Sequence, residues 1–108
     1  MGEGFKLHSG VLELIAGMAL LELKGGSCAG AGYDAAEARP KKKNLARGIK
    51  ASQDGGEVRL SLDLNVDYGA DALAVGEAAQ ELVRGAVEAM TGYRVVEVGV
   101  NVVGLRTP

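Results

Sequence analysis

Residues 58–68, VRLSLDLNVDY, constrain the fold more than any other stretch of the chain. Val58, Leu60, Leu62, Leu64, Val66 and Tyr68 alternate without a break with Arg59, Ser61, Asp63, Asn65 and Asp67. Successive side chains of a strand point to opposite faces, so this is one strand with an apolar and a polar side. A helix, at about 3.6 residues per turn, would spread the same apolar side chains round its whole circumference. The remaining elements either cover the apolar side or stay outside it.

A weaker alternation precedes this strand over Leu45 to Ser52. Leu45, Ile49 and Ala51 take one side, Gly48, Lys50 and Ser52 the other, and Arg47 interrupts the apolar row. Asp54-Gly55-Gly56 between the two predicts a hairpin turn. Beyond Gly69, Asp71 is the expected N-cap of a helix reaching Met90. Its apolar stripe is Val75, Ala79, Leu82, Val83, Ala86, Val87 and Met90, opposed by Glu77, Gln80, Glu81, Arg84 and Glu88. Arg84 lies within helical reach of both Glu81 and Glu88. Gly92 stops the helix, and Arg94 to Leu105 reads as a last strand. In it Val96, Val98, Val100 and Val102 are expected to face in, and Glu97, Gly99 and Asn101 to face out.

The first helix is expected from Gly10 to Leu23, with Ser9 as its N-cap and Gly25-Gly26 as its end. Val11, Leu14, Ile15, Met18 and Leu21 recur at helical spacing, and Leu12, Ala19, Leu20 and Leu23 widen the stripe almost all the way round. Only Glu13 and Glu22 interrupt it. A helix this apolar is buried on more than one side, and a small domain has little to cover it with, so it points to a partner surface.

The order helix, strand, strand, helix, strand predicts an α+β fold, a two-layer αββαβ sandwich with two helices packed on one face of a three-stranded mixed sheet. The other sheet face stays wet and would carry Arg59, Ser61, Asp63, Asn65, Asp67, Glu97 and Asn101. At 108 residues the chain reads as a single domain, 1–108, with a long loop over 27–43 that is small, polar and broken by Gly30, Gly32 and Pro40. Aromatic residues make up 4%, so the core must be built from Val, Leu, Ile, Ala and Met.

The charge balance, 12 basic against 14 acidic residues, gives no long-range attraction to nucleic acid or anionic lipid. A single cysteine, Cys28, excludes an intrachain disulfide and fits a reducing compartment. With no apolar run near the roughly 18 residues that span a bilayer, and no signal-peptide pattern, the expected location is cytoplasmic, without direct membrane insertion.

Candidate chemistry is sparse. His8, the only histidine, has no carboxylate nearby in sequence to position it for acid–base work. Cys28 has no second cysteine with which to build a metal site and is expected to be a surface thiol. Asp63 and Asp67 share one face of the central strand, an arrangement that can serve acid–base chemistry or a hard cation but equally describes solvated outward positions. Gly30-Ala31-Gly32 lacks the rest of a phosphate loop. Arg39-Pro40-Lys41-Lys42-Lys43 is the one charge cluster, able to touch phosphates or simply to stay solvated.

Several segments resemble one family. Leu62-Asp63-Leu64-Asn65-Val66-Asp67-Tyr68-Gly69, then Gln80, Val83, Ala86-Val87, Met90-Thr91-Gly92, and the run from Val95 to Gly104 are similar to the alkaline shock proteins, the envelope stress response proteins of Gram-positive bacteria. The first helix, with Ile15-Ala16-Gly17-Met18-Ala19, is similar to theirs. The resemblance implies a non-enzymatic cytoplasmic protein that self-associates as a homo-oligomer, binds a membrane-anchored protein partner and supports envelope homeostasis. It implies no cofactor, metal or catalytic residue.

The competing reading is a module for single-stranded nucleic acid, because the αββαβ order is similar to that of type II KH domains. Those clamp the backbone with a Gly-x-x-Gly loop, and no two glycines here stand three apart. Nucleic acid is therefore not an expected partner. The residues expected to make protein contacts are Arg59, Asp63, Asp67 and Glu97 on the sheet face, with Lys41, Lys42 and Lys43. The free edge of the strand over Leu45 to Ser52 is the alternative contact.

Overall fold

A computed structural model of the chain describes residues 7–29 and 46–107. The elements in order are α1 (Ser9–Ala19), a 3-10 turn over Leu20–Glu22, β1 (Gly26–Cys28), β2 (Ile49–Asp54), β3 (Glu57–Asp67), α2 (Ala72–Thr91) and β4 (Arg94–Arg106).

β3 is the centre of the sheet. β2 runs antiparallel to its first half, with Ile49 opposite Leu62 and Asp54 opposite Glu57. β1 runs antiparallel to its end, with Gly26 opposite Val66 and Cys28 opposite Leu64. β1 and β2 are thus consecutive pieces of one flank. They meet at Asp63, whose C=O accepts from the Ala29 N–H at 2.7 Å and whose N–H donates to the Gly48 C=O at 2.8 Å. β4 covers the other flank of β3 along its whole length, parallel to it. The sheet is mixed, as expected, but has four strands where three were expected. Of the loop expected over 27–43, Ser27 and Cys28 are strand instead, and 30–43 lie outside the described residues. Gly-Ser-Cys is too short to show an alternation and poor in strand formers, so only tertiary pairing reveals it.

The apolar row of β3 holds the core: Val58, Leu60, Leu62, Leu64 and Val66 are at most 4% exposed. Tyr68, read as the last member of that row, lies beyond the strand and is 73% exposed. Both helices pack on this apolar face, α1 over β2 and α2 over β4, and they touch each other. Leu12, Ile15, Ala16 and Leu20 of the first helical segment and Val75, Ala79, Val83 and Val87 of α2 complete the core. Cys28 also points into it and donates from Sγ to the Arg47 C=O at 2.7 Å, so the expected surface thiol is buried.

The helix ends follow local chemistry. Asp71 caps α2 by accepting from the Leu73 and Ala74 N–H groups at 3.0 and 3.2 Å. Gly92 closes it in the left-handed conformation, φ 75°, which costs glycine least. The cap of α1 is His8, not Ser9: its Nδ1 accepts from the Gly10 N–H at 3.0 Å. An imidazole nitrogen two residues ahead of a free amide fills the same need as a hydroxyl.

β4 departs most from strict alternation. Register shifts follow Val58 and Leu64 of β3, leaving Val96 and Val103 as extra residues of β4. Across from the apolar row stand Val95, Val98, Val100, Val102 and Leu105. Across from the polar row stand Glu97, Gly99, Asn101, Gly104 and Arg106. Val95 rather than Val96 therefore enters the core.

Candidate interaction surfaces

On the outer sheet face, the polar row of β3 meets that of β4 rung by rung. Arg59 Nε stands 3.6 Å from Glu97 Oε1, Asn101 Nδ2 donates to Asp63 Oδ1 at 3.3 Å, and Arg106 Nε donates to Asp67 Oδ1 at 2.5 Å. All four sheet-face residues expected to make contacts, Arg59, Asp63, Asp67 and Glu97, are brought together here. The Arg106 hydrogen bond and charge hold the Asp67 carboxyl below its ordinary range, against an opposing effect of desolvation. Each carboxylate thus has its own cross-strand partner, and the face carries both signs rather than gathering one charge. Exposed pairs of this kind contribute about 0–1 kcal/mol each. Lys41, Lys42 and Lys43, and Leu45 at the start of the alternative edge contact, lie outside the described residues.

The second surface is on α1 and the turn that extends it. Val11, Leu14, Met18 and Leu21 are 41–55% exposed. Spaced by three, four and three residues, they form one line along the helix, beside the line that enters the core. The stripe expected to wrap almost all the way round therefore splits into a buried half and an uncovered half.

The third surface is the outer edge of β4, which sequence reasoning missed. α2 reaches over its first part: Glu88 Oε2 accepts from the Val95 N–H and Gln80 Nε2 donates to the Val98 C=O, both at 2.9 Å. Past Val98 the strand runs out from under the helix, and Val102, Val103 and Leu105 are 46–67% exposed. A groove of about 330 Å³ lies there between α2 and β4, lined by Ala72, Leu73, Gly76, Gln80, Val100 and Val102 among others. The available signal was the absence of any charge between Glu97 and Arg106, unusual for an edge strand. The edge at β2 is different. Glu13 of α1 accepts from the Ala51 N–H at 3.2 Å, and Lys50 and Asp54 place charge along the strand.

These features define a small two-layer α+β domain with apolar surface that, among the described residues, is uncovered on both flanks. The chain matches the model of the alkaline shock protein 23 family, described by its cell envelope-related function, over residues 3–107, and it belongs to that family. Comparison with curated proteins and with solved structures gave no match. Among the described residues no helix is long and apolar enough to cross a membrane.

Proposed function

We propose that the chain serves the cell envelope without catalysis, as a cytoplasmic protein that self-associates and binds a membrane-anchored protein partner. The observation that carries this reading is the pair of uncovered apolar surfaces on opposite flanks, one on α1 above β2 and one along β4. A scaffold held at a membrane by an anchor needs two contacts at once, one to its own kind and one to the anchor. Two separate surfaces allow both. Contiguous exposed apolar side chains on a small domain mark contact sites, because leaving them in water costs about 25 cal/mol per Å².

The chemistry of the polar residues is consistent with a non-enzymatic role. His8 caps a helix, and Asp63 and Asp67 are engaged separately by Asn101 and Arg106. The sheet face carries carboxylates beside its cations, which gives a nucleic-acid backbone no positive track to follow. The α1 line is the surface assigned to the anchor. The test uses inside-out membrane vesicles from the protein's own cells. The chain should be retained by them and released once their exposed proteins are shaved by protease, and the Leu14→Lys, Met18→Lys double variant should not be retained. Equal retention on protein-free lipid, or by the double variant, would contradict the assignment.

A further inference from the structure

We infer that two copies of the chain pair antiparallel along β4, about a twofold axis at Asn101, joining their sheets into one. This inference rests on the self-association proposed above and names its surface.

The two edges of the sheet are treated in opposite ways. β2 carries Lys50 and Asp54, and the Glu13 carboxylate sits on its outward Ala51 N–H. Along β4 the α2 side chains satisfy the edge only as far as Val98. From Gly99 to Leu105 there is neither charge nor proline, and among the described residues no strand pairs with this side. The backbone faces the right way. Asp63 spends its N–H and C=O on Gly48 and Ala29, on the β1–β2 flank. In a parallel ladder its β4 neighbour Asn101 then turns its own groups toward β3, and Val100 and Val102 turn theirs to the open edge.

The register selects a second copy rather than another partner. With the bulged Val103 set aside, the outer-face residues of β4 read Glu97, Gly99, Asn101, Gly104, Arg106, and the inner-face residues Val98, Val100, Val102, Leu105. Laid against itself in reverse about Asn101, this strand is self-complementary. Glu97 meets Arg106, Gly99 meets Gly104, Asn101 meets itself, Val98 meets Leu105 and Val100 meets Val102. No pair crosses faces. Because Glu97 already stands beside Arg59 and Arg106 beside Asp67, each end of the seam becomes a row of four charges alternating in sign.

Gly99 fits the same picture. A Cβ there would meet nothing closer than the Leu60 C=O at 3.9 Å, so its own chain does not require glycine. Glycine in a strand interior is a cost, and it often marks the close approach of another backbone. Gly104 is different: a Cβ would stand 2.6 Å from Asn65 Oδ1, so the Asn65 side chain lies over it. In the paired register Gly99 of the second copy faces that crowded position and leaves it room. On the inner side, the groove between α2 and β4 receives Val100 and Val102 of the second copy.

Cysteine trapping tests the register. Directly opposite residues in a non-hydrogen-bonded antiparallel pair have Cα atoms about 4.5 Å apart, within the range of a disulfide. Asn101→Cys should be trapped by mild oxidation largely as a covalent dimer. The wild-type chain, whose Cys28 is buried, and a Ser52→Cys control on β2 should stay monomeric on denaturing gels. Val102→Lys, at an exposed position, should shift the sedimenting species to monomer. If the wild type self-associates while Asn101→Cys gives no dimer, the register is overturned. If Val102→Lys also leaves the assembly intact, the β4 edge is overturned too, and self-association stands on another surface. A wild-type chain that stays monomeric at every concentration overturns self-association itself.

Discussion

Among single residues, the firmest consequences come from partners whose chemistry is fixed by position. The carboxyl of Asp67 is held below its ordinary range mainly by its hydrogen bond to Arg106. A lowered folded-state value means the pair's contribution is complete above the unfolded carboxylate value of about 3.9 and is lost as pH falls through the folded-state value. Asp67→Asn should therefore flatten the acid limb of stability against pH below about 4, where wild type declines. Both side chains are about a third exposed, so the change should stay under about 1 kcal/mol. Urea unfolding at a series of pH values checks it. Asp71 makes a sharper case, since it satisfies two free amides of α2. Asp71→Ala should cost about 1 kcal/mol, read as a lower urea midpoint with an unchanged slope. Asp71 was legible in the sequence because a carboxylate just before a periodic stripe has one obvious use. His8 was not, because histidine seldom caps a helix and Ser9 offered a more familiar oxygen.

Among the elements, periodicity was informative where an element repeats its own rule. β3 and α2 each carry an unbroken pattern, two-residue in one and 3.6-residue in the other, and both fall within a residue or so of the expected limits. β1 carries no pattern, and its place in the sheet is a matter of close approach. A Cβ on Gly26 would stand 2.7 Å from the Asn65 C=O and 2.9 Å from Val75. Gly26→Ala should thus force β1 off the end of β3 and destabilise the fold by about 1–3 kcal/mol, the usual cost of overpacking. Amide exchange should quicken at Ala29 and Asp67, whose N–H groups bond across this junction. Unchanged protection there would place the strain elsewhere. β4 misled for a different reason. Each bulge flips the parity of the residues beyond it, so a strict alternation put Val96 inside and Val95 outside, and the pairing with β3 reverses them.

For the whole molecule, the proposed function turns on the surface that the core leaves uncovered. The over-apolar first helix was visible in the sequence as a problem of coverage, and the fold answers it by dividing the helix between core and surface. The sheet-face residues Arg59, Asp63, Asp67 and Glu97 were correctly placed on one face, because two-residue periodicity assigns a face without any tertiary knowledge. That they pair with one another and with β4 was not visible, since register across a parallel crossover depends on α2 and on two bulges. The open edge of β4 was hidden for the same reason: an edge is a property of the sheet, not of the strand. Sedimentation velocity of the purified chain across a wide concentration range bears most directly on self-association. Joined apolar surfaces predict reversible growth beyond the monomer, persisting in high salt because exposed charges would not be what holds the copies together. A single monomeric species throughout, in low and high salt alike, would contradict it.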